Sequence, residues 1–181
     1  MHSGNFYQGT LRVKPQFAAL SLALAAAAAV AATAFADAPV AAPVASAAPA
    51  TQEAQTAVAL VEQGAAFLRA RGKAELIRRI NARDPLFRRG GLTLHMVDAR
   101  TGVTLADPVH PSLVGLDLLD VPDAVGRAYR RDIVALAANR GQGWVEHTYK
   151  NPADGRIQAW SDYNLRVGDA VLVSGIARDH R

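Results

Sequence analysis

"GQGWVEHTYKNPADGRIQAWSDYNLRVGDAVLVSGIAR", residues 141–178, decides the fold. It reads as three consecutive strands, over 144–150, 156–167 and 170–178, joined by the turn "NPADG" and the tight pair Gly168-Asp169. A five-residue turn at 151–155 pairs Lys150 with Arg156, and directly opposed residues share a face. That register puts Val145, His147 and Tyr149 with Ile157, Ala159, Ser161, Tyr163 and Leu165, a mostly apolar set facing the helices. Trp144, Glu146 and Thr148 then share the opposite face with Gln158, Trp160, Asp162 and Asn164.

Working outward from this meander, Val125, Tyr129, Ile133, Leu136 and Ala137 mark a helix closed by Gly141. Before it, residues 107–123 carry three prolines and a glycine and form a long irregular segment. Alternation over 92–98 and a return over 103–106 predict a hairpin turning at 99–102. Further upstream, Val58, Val61, Ala65 and Leu68 recur at helical spacing up to Gly72, in the place of a C-cap glycine. A second, shorter helix carries Leu76, Ile77 and Ile80 and stops by Asp84-Pro85, since a residue before proline avoids helical angles. Two helices, a hairpin, a crossing segment with a helix and a three-stranded meander make an α+β domain: an antiparallel sheet with helices on one side.

The first 36 residues carry the parts of a signal peptide. Arg12 and Lys14 precede an uncharged apolar run over 17–35, and Ala34-Phe35-Ala36 offers a small-x-small cleavage pattern. The alternative is an uncleaved anchor, disfavoured because the run is dominated by alanine, which partitions weakly into hydrocarbon. Residues 37–50, alanine and proline-rich, read as a flexible leader, and 51–181 as the folded domain. Cleavage lowers the net charge from +4 to +2, and the arginine pairs are dispersed, so nothing points to nucleic acid. The chain has no cysteine, which excludes disulfides, thiolate metal sites and cysteine nucleophiles.

"AELIRRINARDPLF", "DARTGVTLADPVHPSLVGLDLLDV", "GQGWVEHTYKNPADG" and "VSGIA" resemble, in order, blocks of the single Cache domain, type 2. The similarity runs over about residues 58–178. It implies a PAS-like five-stranded antiparallel sheet with long N-terminal helices packed on one face. It also implies a periplasmic or secreted sensor of a small organic molecule, often a carboxylate, working with a membrane receptor or kinase. Because the chain ends at Arg181, shortly after the last strand, the expectation is a stand-alone module with a separate partner. Departures from the family pattern fall on the pocket. Thr93 and His95 stand where aromatics are usual, Asp107 replaces a histidine, Trp160 a lysine and Ala177 a tyrosine.

On the expected register, segment 107–123 covers the polar face, and a pocket forms between them with Trp144 and Trp160 as walls. The candidate ligand-binding residues are His95, Asp107, Trp144, Glu146, Trp160, Asp162 and Tyr163. Tryptophan beside carboxylates attracts cations, so a cationic or zwitterionic ligand is one expectation. A carboxylate held by backbone amides or Arg156 is another, and a pocket filled by its own side chains a third. The tryptophans simply packing under the cover is an equally weighted reading. No Gly-x-Ser-x-Gly elbow is present, and His95, His110 and His147 lie on separate elements. The chain is therefore read as non-enzymatic, with no cofactor and no metal. The rival class is a ligand-free periplasmic interaction protein docking on a membrane receptor.

Overall fold

In a computed structural model, which describes residue 49 and residues 51–150 and 154–178, the Thr51 hydroxyl accepts the Ala54 amide and opens helix α1, Gln52–Arg71. The proposed signal peptide and all of the leader except Pro49 lie outside the described residues. Ala54, Ala57, Leu60, Val61 and Ala65 form the buried stripe of α1. Gly64 lets this helix ride close to the sheet, because a methyl group there would overlap the Leu94 side chain. Gly72 (φ 85°) ends α1 with its amide on the Leu68 carbonyl, and α2, Lys73–Asn81, starts at the next residue. Asp84 caps a short 3-10 turn, Pro85–Phe87, which leads into a two-stranded ribbon of β1, Arg88–Arg89, and β2, Leu92–Thr93.

The main sheet contains β3, His95–Asp98, β4, Thr104–Ala106, β5, Gln142–Lys150, β6, Ile157–Val167, and β7, Ala170–Arg178. Its spatial order is β4-β3-β7-β6-β5, antiparallel throughout, so the last strand in sequence lies at the centre. The alternation expected over 92–98 is split at Leu94, whose amide donates to the Phe87 carbonyl. One face of the sheet packs Leu94, Met96, Trp144, Tyr163, Leu172 and Ile176 against α1. The opposite face packs Val145, Val171 and Val173 against α3, Tyr129–Asn139. The long N-terminal helix thus takes one face as expected, while α3 takes the other. Val125 precedes this helix instead of belonging to it.

The register of the β5–β6 hairpin differs from the sequence expectation by one residue. Lys150 pairs with Ile157, not with Arg156. The Arg156 amide is used by the Asp154 carboxylate at 3.0 Å, which keeps Arg156 in the turn. A shift of one residue exchanges the faces of a strand. Trp144 consequently opposes Tyr163 in the α1-side core, and Val145 opposes Asp162 on the other face. The expected grouping of Trp144 and Glu146 with Trp160 and Asp162 is corrected on this ground.

Residues 107–128 cross the α3-bearing face from one sheet edge to the other. At the β4 edge, Gly115 donates to the Thr104 carbonyl (2.8 Å) and Thr104 donates to Leu116 (3.2 Å). At the β5 edge, Asp123 accepts the Thr148 amide (2.9 Å) and Arg127 donates to the Glu146 carbonyl (3.1 Å). Free strand edges invite pairing with other chains, and these contacts occupy both.

Candidate ligand site

Strand pairing lays out the floor beneath this strap. Val145, Asp162 and Gly175 lie abreast, as do His147, Trp160 and Ala177, and as do Gly143, Asn164, Val173 and His95. On β7 the two positions Gly175 and Ala177 offer almost no bulk. The strip of sheet between Asp162 and Trp160 on β6 and His95 and Asp107 beside β3 forms a shallow trough, which the Asp162 carboxylate and the Trp160 ring close over at Gly175. Gly175 is required here by close approach. A methyl group on it would overlap Asp162 Oδ1 and lie 3.3 Å from Trp160 Cε3.

On the β6 wall, His147 Nε2 pairs with Asp162 Oδ2 at 3.1 Å, and both side chains are largely buried. The His147 ring stacks on Tyr129 (centroids 4.1 Å apart, 11° between planes), and the Arg130 guanidinium lies over the same tyrosine at 4.5 Å. Burial disfavours the charged imidazole, but the Asp162 carboxylate outweighs it and leaves the His147 pKa raised. Burial raises Tyr129 to about 12, Arg130 working against it and the nearby carboxylates with it. Trp160 meets Tyr149 edge to face (6.3 Å, 76°), and Tyr149 in turn approaches His110 at 6.2 Å.

On the opposite wall, Asp107 Oδ1 accepts the amides of Val109 (2.9 Å) and His110 (2.7 Å) and lies 3.4 Å from His95 Nδ1. Burial opposes its ionisation, yet His95 and these amides lower its pKa to about 2. His95 is turned by Thr93, whose hydroxyl meets Nε2 at 2.8 Å. Two polar atoms lining this face have no partner among the described residues: Trp160 Nε1 and Asn164 Oδ1. Trp160 belongs to the lining of a cleft, whereas Asn164 is 1% exposed between Gly143 and Val173, which pack against α3. The cleft lies beside β5 and β6, has a volume of about 170 Å³ and is lined by Asp123, Val125, Arg127, Glu146, His147, Thr148, Ala159, Trp160 and Arg178.

Four of the seven residues singled out from the sequence lie on the strap side of the sheet in two separate pairs, His95 with Asp107 and Asp162 with Trp160. Trp144 and Tyr163 instead pack on each other (5.4 Å) in the core beneath α1. Glu146 reaches the cleft at the rim, where it pairs with Arg178. Sequence reading missed His147, which the wrong register turned towards the helices, and with it Tyr129, Tyr149, Asn164 and Gly175. The signal that would have found them is "ADG" at 153–155: an aspartate placed to hold the amide two residues on lengthens the turn by one. Among the described residues no group of three His, Asp or Glu is arranged to hold a metal ion, and no helix is long and apolar enough to cross a membrane.

A five-stranded antiparallel sheet, with a long N-terminal helix on one face and a strapped trough on the other, defines the PAS-like class of sensor domains. Within that class the chain belongs to the single Cache domain 2 family, whose sequence profile matches residues 40–167. Solved structures share this fold. One is the periplasmic sensor domain of a chemotaxis protein (20% identity, TM-score 0.54, covering 69% of this chain and 90% of that one). Another is a Cache chemosensory domain whose structure explains its carboxylic acid recognition (22%, 0.54, 69% and 88%). A third is a methyl-accepting chemotaxis protein from Vibrio parahaemolyticus RIMD 2210633 (18%, 0.56, 70% and 89%). No curated protein matches the chain.

Proposed function

We propose that this protein is an exported sensor domain that holds a small organic molecule in the trough beside Trp160 and His147 and reports its occupancy to a membrane receptor or kinase. Export follows from the signal-peptide pattern with cleavage after Ala36, and the folded domain begins at Thr51. The observation that carries the reading is the trough itself. A strap tied to both sheet edges borders a cleft of about 170 Å³ beside His147 and Trp160, and the buried Trp160 Nε1 donor has no partner among the described residues. Pockets for small molecules combine apolar and aromatic walls with a few placed polar groups, and this one has both. The similar Cache domain that recognises carboxylic acids supports a small organic ligand for this chain as well.

A thermal-shift screen against organic acids, amino acids and amines tests the proposal. A ligand that binds only the folded state adds about 2.7 kcal/mol of stability at a hundred times its Kd. The expected result is a clear rise in Tm with one chemical class, abolished in Trp160→Ala. No rise with any class at millimolar concentration refutes it. A second reading rests on a specific observation: Val109, Val114, Leu116, Val121 and Val125 on the strap are exposed apolar side chains. They suit a surface that docks on a protein partner without a ligand. Tm values that ignore every small molecule, with retained partner binding, would select that reading.

A further inference from the structure

Resting on the pocket reading above, we infer that the ligand is a small α-amino acid bound as its zwitterion, with its carboxylate on Arg178 and its ammonium group on Glu146. The cleft beside β5 and β6 carries charges of both signs, Arg127 and Arg178 against Asp123 and Glu146. Two of the four are committed to the strap. Arg127 gives Nε and Nη2 to Asp132 Oδ2 (2.8 and 2.7 Å) and Nη1 to the Glu146 carbonyl. Asp123 Oδ1 accepts the amides of Val125 (3.0 Å) and Arg127 (2.8 Å), and its Oδ2 accepts the Thr148 amide. The other two answer each other. Register sets Arg178 on β7 abreast of Ala159 and Thr148, with Glu146 two residues before Thr148 on the same face of β5. The β6 residues between them on that face, Ala159 and Ser161, are both small. Arg178 Nη1 donates to Glu146 Oε1, and both side chains are partly exposed. Arg178 Nε and Nη2 remain as donors, and Glu146 Oε2 as an acceptor, with no other partner among the described residues.

The balance of these uncommitted groups selects the ligand. A partly exposed ion pair contributes little stability, so it opens at small cost. An anion alone would take Arg178 and leave the Glu146 carboxylate unpaired beside its own charge. A cation alone would strand Arg178 in the same way. A zwitterion inserts between the two and leaves each of them paired, through charge-assisted hydrogen bonds. The two charges committed to the strap, Arg127 and Asp123, cancel and favour neither sign. Trp160 borders the cleft, and its buried Nε1 adds an unpartnered donor, which a lone amine could not use. Size agrees as well. The cleft has a volume of about 170 Å³, and a cavity of about 150 Å³ takes a molecule the size of benzene. Alanine is of that size.

Isothermal titration of the full chain with L-alanine, propionate and ethylamine tests this. Propionate is alanine without its ammonium group, and ethylamine is alanine without its carboxylate. Alanine is expected to bind tightest, with each fragment weaker by roughly tenfold or more. Glu146→Gln keeps the shape and removes the charge. It should weaken alanine by roughly tenfold and tighten propionate, because no carboxylate then competes for Arg178. Arg178→Gln should weaken alanine and tighten ethylamine. A pair with only a structural role would not move the two fragments in opposite directions. Propionate or ethylamine binding as tightly as alanine overturns the inference and leaves the pocket reading standing. Alanine binding unchanged in both variants also overturns it. No binding of any of the three overturns it too, and the thermal-shift screen then decides the pocket reading by itself.

Discussion

Gly175→Ala tests the geometry of the trough most directly. The glycine backbone lies outside the left-handed region, so alanine meets no backbone strain and gains up to about 1 kcal/mol by restricting the unfolded chain. Against that, the new methyl group overlaps Asp162 Oδ1 and presses Trp160 Cε3 at 3.3 Å. The carboxylate must swing away, and its 3.1 Å pairing with His147 is lost or stretched. Removing one partner of a buried pair outright costs about 3–5 kcal/mol. Partial displacement with the backbone gain subtracted leaves a net loss of about 2 kcal/mol. For a domain of this size that is a drop in Tm of roughly 5–10 °C, measurable by circular dichroism. The same change in an Asp162→Ala background should be neutral or stabilising, because the overlapping carboxylate is gone. A destabilisation of equal size in both backgrounds, or none in either, refutes the argument that Gly175 exists to seat Asp162.

Other consequences follow from the same contacts. His147 has a raised pKa in the folded state, so its stabilising pair with Asp162 is fully present below pH 6.5 and is lost as pH rises through the raised value. Denaturant titrations should show that decline in the wild type and not in His147→Gln. Asp107, lowered to about 2, contributes stability that is present above pH 4 and lost as pH falls through about 2. Asp107→Ala should cost about 2 kcal/mol at pH 7 and flatten the acid limb of the stability curve. Asp123→Ala removes the carboxylate that accepts the Thr148 amide and should cost about 1 kcal/mol. It should also raise hydrogen exchange at Thr148 more than at the central strand β7.

Sequence alone determined the local elements and the family. Helical spacing up to Gly72, the hairpin alternation and the three closing strands depend on contacts within a few residues, and each appears near its expected place. His95, Asp107, Trp160 and Asp162 stood out because their chemical types depart from the family pattern or are costly to cover. The faces of β5 and β6 were not legible, because they hang on the parity of one turn. With Arg156 drawn into that turn by Asp154, every side chain of β6 changed sides relative to β5. Trp144 and Tyr163 went into the core, and His147 came to the trough with Asp162. Only the tertiary structure decided the rest. It seats β7 between β3 and β6, which sets Gly175 beside Asp162, and it ties residues 107–128 to both sheet edges. Those contacts join positions far apart in the chain, and no local periodicity records them.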